Sequence, residues 1–290
     1  MNFIEKLSCA STVTRRTYAE YMICKISLEQ YHNVEWFISC DSYAYKLLSN
    51  LNNVHLIQSI SVDDTACIQS RNGKNALFHD ITSHKIDGIL AGIDKHGYCI
   101  FLDTDLVFTN PLEQRFFSLL TNENIDIIVS PHMTNSPHIE SIVGYYNAGF
   151  FSISNINLAY KYKEICGKSI EYDLYYEQQP LQFACYDYII AGLPINYNIG
   201  WWRFLSKSFN KETQYSKLMN NNDYESLCLE DNTIFYKNKP AIFFHTHMLK
   251  KYDTSDSGHF LTNKLFQLME QSNNTDYHNI TDRINKHFCL

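Results

Sequence analysis

The sequence predicts an α/β fold with a mostly parallel central sheet flanked by helices, and three features lead there. Short β-type apolar runs alternate with helical stretches through the first half of the chain. Strands separated by helices of such lengths imply parallel neighbours, with ligands bound beyond the carboxyl ends of the strands. The third feature is YCIFLDTDLVF (98–108), apolar and strand-like except for Asp103 and Asp105.

Taken in order, CASTVT (9–14) is an apolar turn closing the first strand, and residues 18–31 form a helix with Tyr21, Ile23, Cys24, Ile26 and Leu28 along one side. VEWFISC (34–40) follows as a strand and completes a β-α-β unit. SYAYKLLSNL (42–51) reads as a helix, VHLIQSI (54–60) as a strand, and residues 74–97 as a long helix closed by Gly97 at its C-cap. Residues 98–108 are then the next strand. TNPLEQRFFSLL (109–120) starts a helix with Asn110 as N-cap and Pro111 in the first turn. Residues 125–132 are a strand, 141–154 two short strands, 157–170 and 177–192 helical, 219–226 a solvated loop and 240–247 a late strand ending in two histidines. In the tail, Phe260, Leu261, Leu265 and Leu268 fall at helical spacing. Residues 1–254 are therefore expected to form one domain, with 255–290 a helical extension packed on it.

Composition narrows the function. The 290 residues are 45% hydrophobic and 19% charged, which excludes disorder over most of the chain. A net charge of −7 argues against nucleic acid held through its phosphates, which needs a basic footprint. Nine cysteines are scattered without a CxxC pair, several in apolar runs, which reads as a reducing compartment. The N-terminal stretch lacks the apolar core of a signal peptide, no run approaches the roughly 20 apolar residues of a membrane span, and the tail lacks the basic face of a membrane-surface helix. The expectation is a soluble cytoplasmic protein, with the sequons at Asn273 and Asn279 unused.

Asp103 and Asp105 demand an explanation, because ionised carboxylates buried without partners cost several kcal/mol. With a period of two, both point to one side of a strand and Thr104 to the other, so one cation meets both. The bland alternative is a pair of turn-forming acids. The late strand delivers His245 and His247 to the same sheet edge, where they could complete an oxygen and nitrogen shell for a Mn²⁺-like ion.

The blocks CIFLDTDLVFTNPL, DIIVSPH, GYYNAGFFSISN, EQQPLQFA, YNIGWW and PAIFFHTHM, in this order, resemble a GT-A fold glycosyltransferase from about residue 10 to about residue 252. The plan is similar to the glycogenin-like enzymes and closer to bacterial nucleotide-diphospho-sugar transferases. The resemblance implies a single Rossmann-like domain and a metal-dependent transfer of sugar from a nucleotide-sugar, by base rate a UDP-hexose, to a hydroxyl of a glycan, lipid-linked glycan or protein. It implies that Asp103, Asp105 and His245 hold Mn²⁺ or Mg²⁺ against the diphosphate, with Asp103 and Thr104 beside the donor. Such an ion neutralises charge developing on the leaving nucleoside diphosphate. Lys251 stands where the related pattern places a diphosphate-binding lysine, although Met248 replaces its glycine.

Further assignments follow from the same resemblance. Asp41 faces the base or ribose, or else caps the helix after it. Arg15, after the first strand, clamps phosphate or base or lies exposed, and Thr12 shares its loop. Lys85 faces the nucleotide-sugar or is a solvated helix lysine. In YYNAGFF, Asn147 and Gly149 form a turn that lets the backbone approach the sugar, with the Asn amide bonding hydroxyls, or a purely structural turn. Glu177 and Gln178 occupy the positions of an acid and amide beside the reacting sugar, with Glu in place of the usual Asp. Glu177 or Asp187 is the candidate base in an inverting reaction. Trp201 and Trp202 stack on an acceptor ring or fill the core.

Two rival readings differ in class. FLDTDLV also fits the opening motif of haloacid-dehalogenase-type phosphatases, with Asp103 as nucleophile, although it comes after about 100 residues of β-α units. A catalytically inactive sugar-binding domain of the same plan is the other, and its signature would be a lost metal ligand.

Overall fold

A computed structural model of the chain describes residues 4–60, 83–134, 137–174, 177–204, 226–246 and 257–288. The central sheet has seven strands: β1 (Leu7–Val13), β2 (Val34–Cys40), β3 (Val54–Ile57), β4 (Cys99–Leu102), β6 (Ile127–Pro131), β7 (Tyr146–Ile153) and β8 (Ile190–Gly192). Their order is β3-β2-β1-β4-β7-β6-β8, and only β7 runs against the rest, antiparallel to both β4 and β6. The sheet is thus mostly parallel, as the alternation of runs predicts.

Alternating side chains fill both faces. From β1 and β2, Leu7, Cys9, Val13, Trp36 and Ile38 enter one core with Tyr21, Cys24 and Leu28 of helix α1 (Tyr18–Glu29) and Ala44 and Leu48 of α2 (Ser42–Leu48). Ala10 and Phe37 enter the opposite core with Ile86, Ile89 and Ile93 of α3 (Lys85–His96), Leu158 and Tyr162 of α6 (Ile156–Gly167) and Leu181 of α7 (Gln178–Ala184). Helix α3 lies close on the sheet because its inner face is cut back to glycine. A Cβ on Gly88 would meet the Phe37 carbonyl at 2.6 Å, and one on Gly92 the Cys99 sulfur at 2.5 Å. Gly97 closes this helix in the left-handed conformation, φ 75°, as expected of a C-cap.

Several sequence expectations shift. CASTVT is mostly part of β1 rather than a turn, since parallel pairing with β2 runs on through Val13, and Cys9 and Ala10 also pair with β4. The strand from Val54 stops at Ile57. Asn110 does not cap the next helix: its side chain donates to the Ala241 carbonyl at 2.7 Å, and α4 (Gln114–Leu120) starts after Glu113. Residues 141–154 are not two strands but the end of helix α5 (Pro137–Val143) and the single strand β7. Residues 177–192 are not one helix, because after α7 and a 3-10 turn, Cys185–Asp187, the chain extends into β8 at the sheet edge. The long helix from 74 and the loop at 219–226 lie mostly outside the described residues.

A second, three-stranded sheet joins β5 (Leu106–Phe108), β13 (Phe243–His245) and β9 (Ile199–Gly200). A third joins β10 (Leu227–Glu230), β11 (Thr233–Tyr236) and β12 (Lys239–Pro240), so the described part of the expected late strand, residues 240–246, is not one strand. Helices α8 (Ser257–Gln271) and α9 (Thr275–Phe288) bury Leu261, Leu265, Leu268, Tyr277 and Ile280 in one cluster with Val107, Ile199 and Phe244. The Thr262 hydroxyl donates to the Thr246 carbonyl, and Tyr277 Oη to that of Thr109 at 2.9 Å. The C-terminal helices therefore share a core with the strands flanking residues 103–105 and ending at His245.

The far end of α3 is held by charge. Lys95 Nζ donates to Glu35 Oε1 at 2.7 Å, and ring nitrogens of His55 and His96 lie 2.7 and 2.6 Å from the same carboxylate. Burial alone would raise the Glu35 carboxyl, but these three partners outweigh it and hold it at about 2, against 4.5 ordinarily. A depressed carboxyl stabilises the fold above its unfolded value, and that contribution is lost as pH falls from about 4.5 to about 2. Glu35→Gln should cost about 2 kcal/mol at pH 7, the half-exposed Lys95 and His55 being screened. Urea unfolding of both proteins should show the difference shrinking below pH 4.5; a constant difference would refute the linkage.

Candidate active site

The run 98–108 is not one strand. It breaks at Asp103, Thr104 and Asp105, with β4 remaining in the central sheet and β5 entering the small one. Each half carries one acid to the junction. On the β4 side, Asp103 N donates to the Gly149 carbonyl of β7 at 2.8 Å. On the β5 side, His245 pairs with Leu106, and both the backbone N–H and the hydroxyl of Thr246 donate to the Asp105 carbonyl, at 2.9 and 2.8 Å. The two acids converge through a turn between sheets, not through strand alternation.

Ligand atoms of Asp103, Asp105 and His245 lie within 4.8 Å of one another. His245 Nε2 is 2.9 Å from Asp105 Oδ1 and 3.9 Å from Asp103 Oδ2. Two carboxylate oxygens and an imidazole nitrogen form a donor set suited to a divalent ion such as Mn²⁺. The space beside them is kept open by Gly149, where a Cβ would stand 2.5 Å from His245 Cε1 and 2.8 Å from Asp103 Oδ2. Gly149 is thus required within a strand by close approach, not as a turn residue.

Lys85 is not a solvated lysine. It is buried, with Nζ 2.8 Å from Asp103 Oδ1, 2.9 Å from Glu177 Oε1 and 4.7 Å from the centre of the Phe101 ring. Burial alone would favour the neutral amine, but Asp103 and Glu177 outweigh it and hold the ammonium above the ordinary lysine range. Burial pushes the Asp103 carboxyl up despite Lys85 and His245. For His245, burial opposes the charged ring and Asp105 more than restores it. Three carboxylates set against one lysine and one histidine leave an excess of acid, which a further cation would neutralise.

Asn147 is committed to the protein. Its Oδ1 accepts from Gly149 N and Asn198 Nδ2, both at 2.9 Å, and its Nδ2 faces His132 Nε2 at 3.2 Å. His132 Nδ1 lies 2.8 Å from the Gly144 carbonyl, so the ring donates there and accepts from Asn147. Burial holds this histidine down at about 4, in keeping with that neutral tautomer. Trp202 is buried, edge-on to His245 at 5.2 Å and to His132 at 5.6 Å, with Nε1 donating to the His132 carbonyl at 2.9 Å. Arg203 is also buried and donates to the carbonyls of His132, Ile195 and Tyr197. His132, Asn198 and Arg203 are not singled out by the sequence, although the first two lie in the blocks DIIVSPH and YNIGWW. His132 directly follows β6, Asn198 directly precedes β9, and Arg203 lies in the 3-10 turn after β9.

Other residues sit around this edge. In the parallel register Ala10 pairs with Phe101, and Ser11 Oγ donates to the Leu102 carbonyl at 2.7 Å, which sets Thr12 next along β1. Thr12 Oγ1 is buried with no partner among the described residues. Asp41 caps α2 by accepting from Ala44 N at 2.7 Å, and also takes Arg15 N at 2.8 Å. The Arg15 guanidinium lies 4.9 Å over the Tyr43 ring. Thr104 is buried within the turn. Gln178 begins α7 immediately after Glu177. Asp187 stands apart: it is 71% exposed and pairs with Lys161 Nζ at 3.0 Å. His247 and Lys251 lie outside the described residues.

Breaking the Lys85 pairs would leave two carboxylates without their common cation. Lys85→Met should therefore lose about 3 kcal/mol of stability in metal-free buffer, measured by urea unfolding. A loss under about 0.5 kcal/mol, the level of an ordinary surface change, would show the triad to be solvated.

No protein-family profile and no curated protein sequence matches the chain. Solved structures do. The galactosyltransferase LgtC in complex with donor and acceptor sugar analogs superposes with a TM-score of 0.54 at 12% identity, covering 92% of this chain and 97% of that one. An active-site mutant of LgtC gives 0.51 at 12%, covering 82% and 86%. The apo form of the glycosyltransferase GlyE of Streptococcus pneumoniae gives 0.50 at 13%, covering 90% of this chain and 63% of that one. The chain has the GT-A fold of these glycosyltransferases, and its acid and histidine cluster lies where its central sheet meets the smaller one.

Proposed function

We propose that the protein is a metal-dependent glycosyltransferase that moves a sugar from a nucleotide-diphosphate sugar, in first place a UDP-hexose, to a hydroxyl acceptor on a glycan, lipid-linked glycan or protein. The observation that carries this reading is the convergence of Asp103, Asp105 and His245 at a sheet junction beside Gly149. These three residues would hold Mn²⁺ or Mg²⁺. A bound ion of this kind supplies a Lewis acid against the charge that develops on a departing diphosphate.

The chain's own residues set the rest of the site. Lys85 joins Asp103 to Glu177, so the metal-side carboxylate and the acid before α7 keep a fixed spacing. Glu177 Oε2 is buried with no partner among the described residues, which supports a role in accepting a hydrogen bond or a proton from a sugar or acceptor hydroxyl. Asp187, exposed and paired with Lys161, is not joined to the Lys85 cluster as Glu177 is, which favours Glu177 for that role. Gln178 lies at the same helix start. Asn147 serves by holding Gly149 and Asn198 rather than by bonding sugar directly. Thr12, Arg15, Asp41 and Thr104 line the strand ends where the nucleotide would lie, and Lys251 remains the assigned diphosphate lysine.

The seven described cysteines are free and six are buried, which supports a reducing, cytoplasmic setting. No helix among the described residues is long and apolar enough to cross a membrane.

Hydrolysis of UDP-glucose, UDP-galactose, UDP-N-acetylglucosamine and GDP-mannose should be assayed with Mn²⁺ and with EDTA. Turnover of at least one donor is expected with Mn²⁺, lost in EDTA and reduced about a hundredfold in Asp105→Ala. Hydrolysis of p-nitrophenyl phosphate with Mg²⁺ and none of the donors would instead favour the phosphatase. Donor binding without turnover would favour an inactive sugar-binding domain.

A further inference from the structure

A cavity of about 500 Å³ lies outside the carboxylate cluster, between α5 and α7. Tyr145 and Phe183 stand on it, 50% and 53% exposed, with the amides of Gln179 and Gln182 and the side chain of Glu140 among them. These amides are positioned. Gln182 Oε1 accepts from Tyr145 N at 2.7 Å, and Gln179 Nε2 donates to the Ile142 carbonyl at 2.9 Å. With its oxygen engaged, Gln182 keeps an amino group that meets no acceptor among the described residues.

Exposed rings beside fixed planar amides form a surface suited to sugar. A pyranose offers apolar C–H faces that pack on aromatic rings and hydroxyls that pair with amide and carboxylate groups. The volume falls within the range of small-molecule sites, and the pocket is open to solvent along one side. Glu140 in the lining and a net charge of −7 disfavour an anionic ligand, and Glu140 with the amides of Gln179 and Gln182 disfavours a purely apolar one. The pocket is also joined to the site by a short element. Gln179 and Gln182 lie on α7, which starts directly after the Glu177 bound to Lys85.

We propose that this pocket is a saccharide subsite, which holds a neutral oligosaccharide portion of the acceptor while another part of the same chain reaches Glu177. That the saccharide is an acceptor rests on the transferase reading; that the pocket binds it does not. The specificity this implies is for extended glycans over single sugars.

The test uses the full chain and a panel of maltopentaose, cellopentaose, xylopentaose and chitotetraose, with binding read by saturation-transfer NMR and calorimetry in EDTA without nucleotide. At least one should bind in the millimolar range or tighter. Tyr145→Ala, Phe183→Ala and Gln182→Leu should each weaken that binding about fivefold or more. Phe183→Leu, which keeps apolar bulk but removes the ring, should weaken it as well. Tyr45→Ala removes a ring 39% exposed on α2, at the opposite end of the sheet, and should leave binding unchanged. Absence of binding across the panel, or binding indifferent to Tyr145→Ala and Phe183→Ala, would overturn the proposal. Donor hydrolysis is measured in parallel. Saccharide binding without donor hydrolysis keeps the subsite and removes the transferase; hydrolysis without saccharide binding does the opposite.

Discussion

Asp103, Asp105 and Glu177 share one buried lysine and one histidine, and the surrounding architecture serves to keep those charges together. Holding three acids wholly or largely out of water is costly unless each has a partner at hydrogen-bond distance. Lys85 answers Asp103 and Glu177, and His245 answers Asp105. The partners come from four separate stretches of sequence, so the cluster can exist only when two sheets and a helix meet in one arrangement. In an isolated strand the same acids would be a liability.

Each structural choice nearby can be traced to that requirement. The chain leaves the central sheet after Leu102, because Asp103 and Asp105 then fall at a junction that strands of both sheets can reach. β13 pairs with β5 so that His245 stands opposite Leu106. Helix α3 comes close enough to place Lys85 because Gly88 and Gly92 remove the side chains that would hold it away. Its other end is tied down by Glu35, Lys95 and His96. Behind the site, neutral His132 orients Asn147, and Asn147 in turn binds the backbone of Gly149, the residue whose missing Cβ leaves room beside the ligands. Trp202 closes the back by packing on both histidines.

Much of this was legible in the sequence, for identifiable reasons. Alternating apolar runs specify a parallel sheet, and two acids inside one such run stand out because burial makes them expensive. The late FFHTH run announced a histidine at the same edge. What the sequence hid was non-local. The break between β4 and β5 depends on β13, some 140 residues downstream, so a local period of two suggested an unbroken strand. Tyr146–Ile153 runs as one strand where turn-like residues suggested two, with the irregularity taken up as a register shift against β6 between Val129 and Ser130. Asp187 looked like Glu177 by residue type, and only its exposure and its partner Lys161 set it apart. Likewise no periodicity could distinguish a buried Lys85 from a solvated one; the decisive fact is the pair of carboxylates that converge on it.

The central claim is that Asp103, Asp105 and His245 act together as the ligands of one divalent cation. Titration of Mn²⁺ followed by the electron paramagnetic resonance of the free ion tests it most directly, on the wild-type chain and on Asp103→Asn, Asp105→Asn and His245→Gln, each with UDP present. The account predicts one equivalent bound by the wild type and at least a tenfold loss of affinity in each variant, about 1.4 kcal/mol or more. Equal affinity in all four proteins would contradict it.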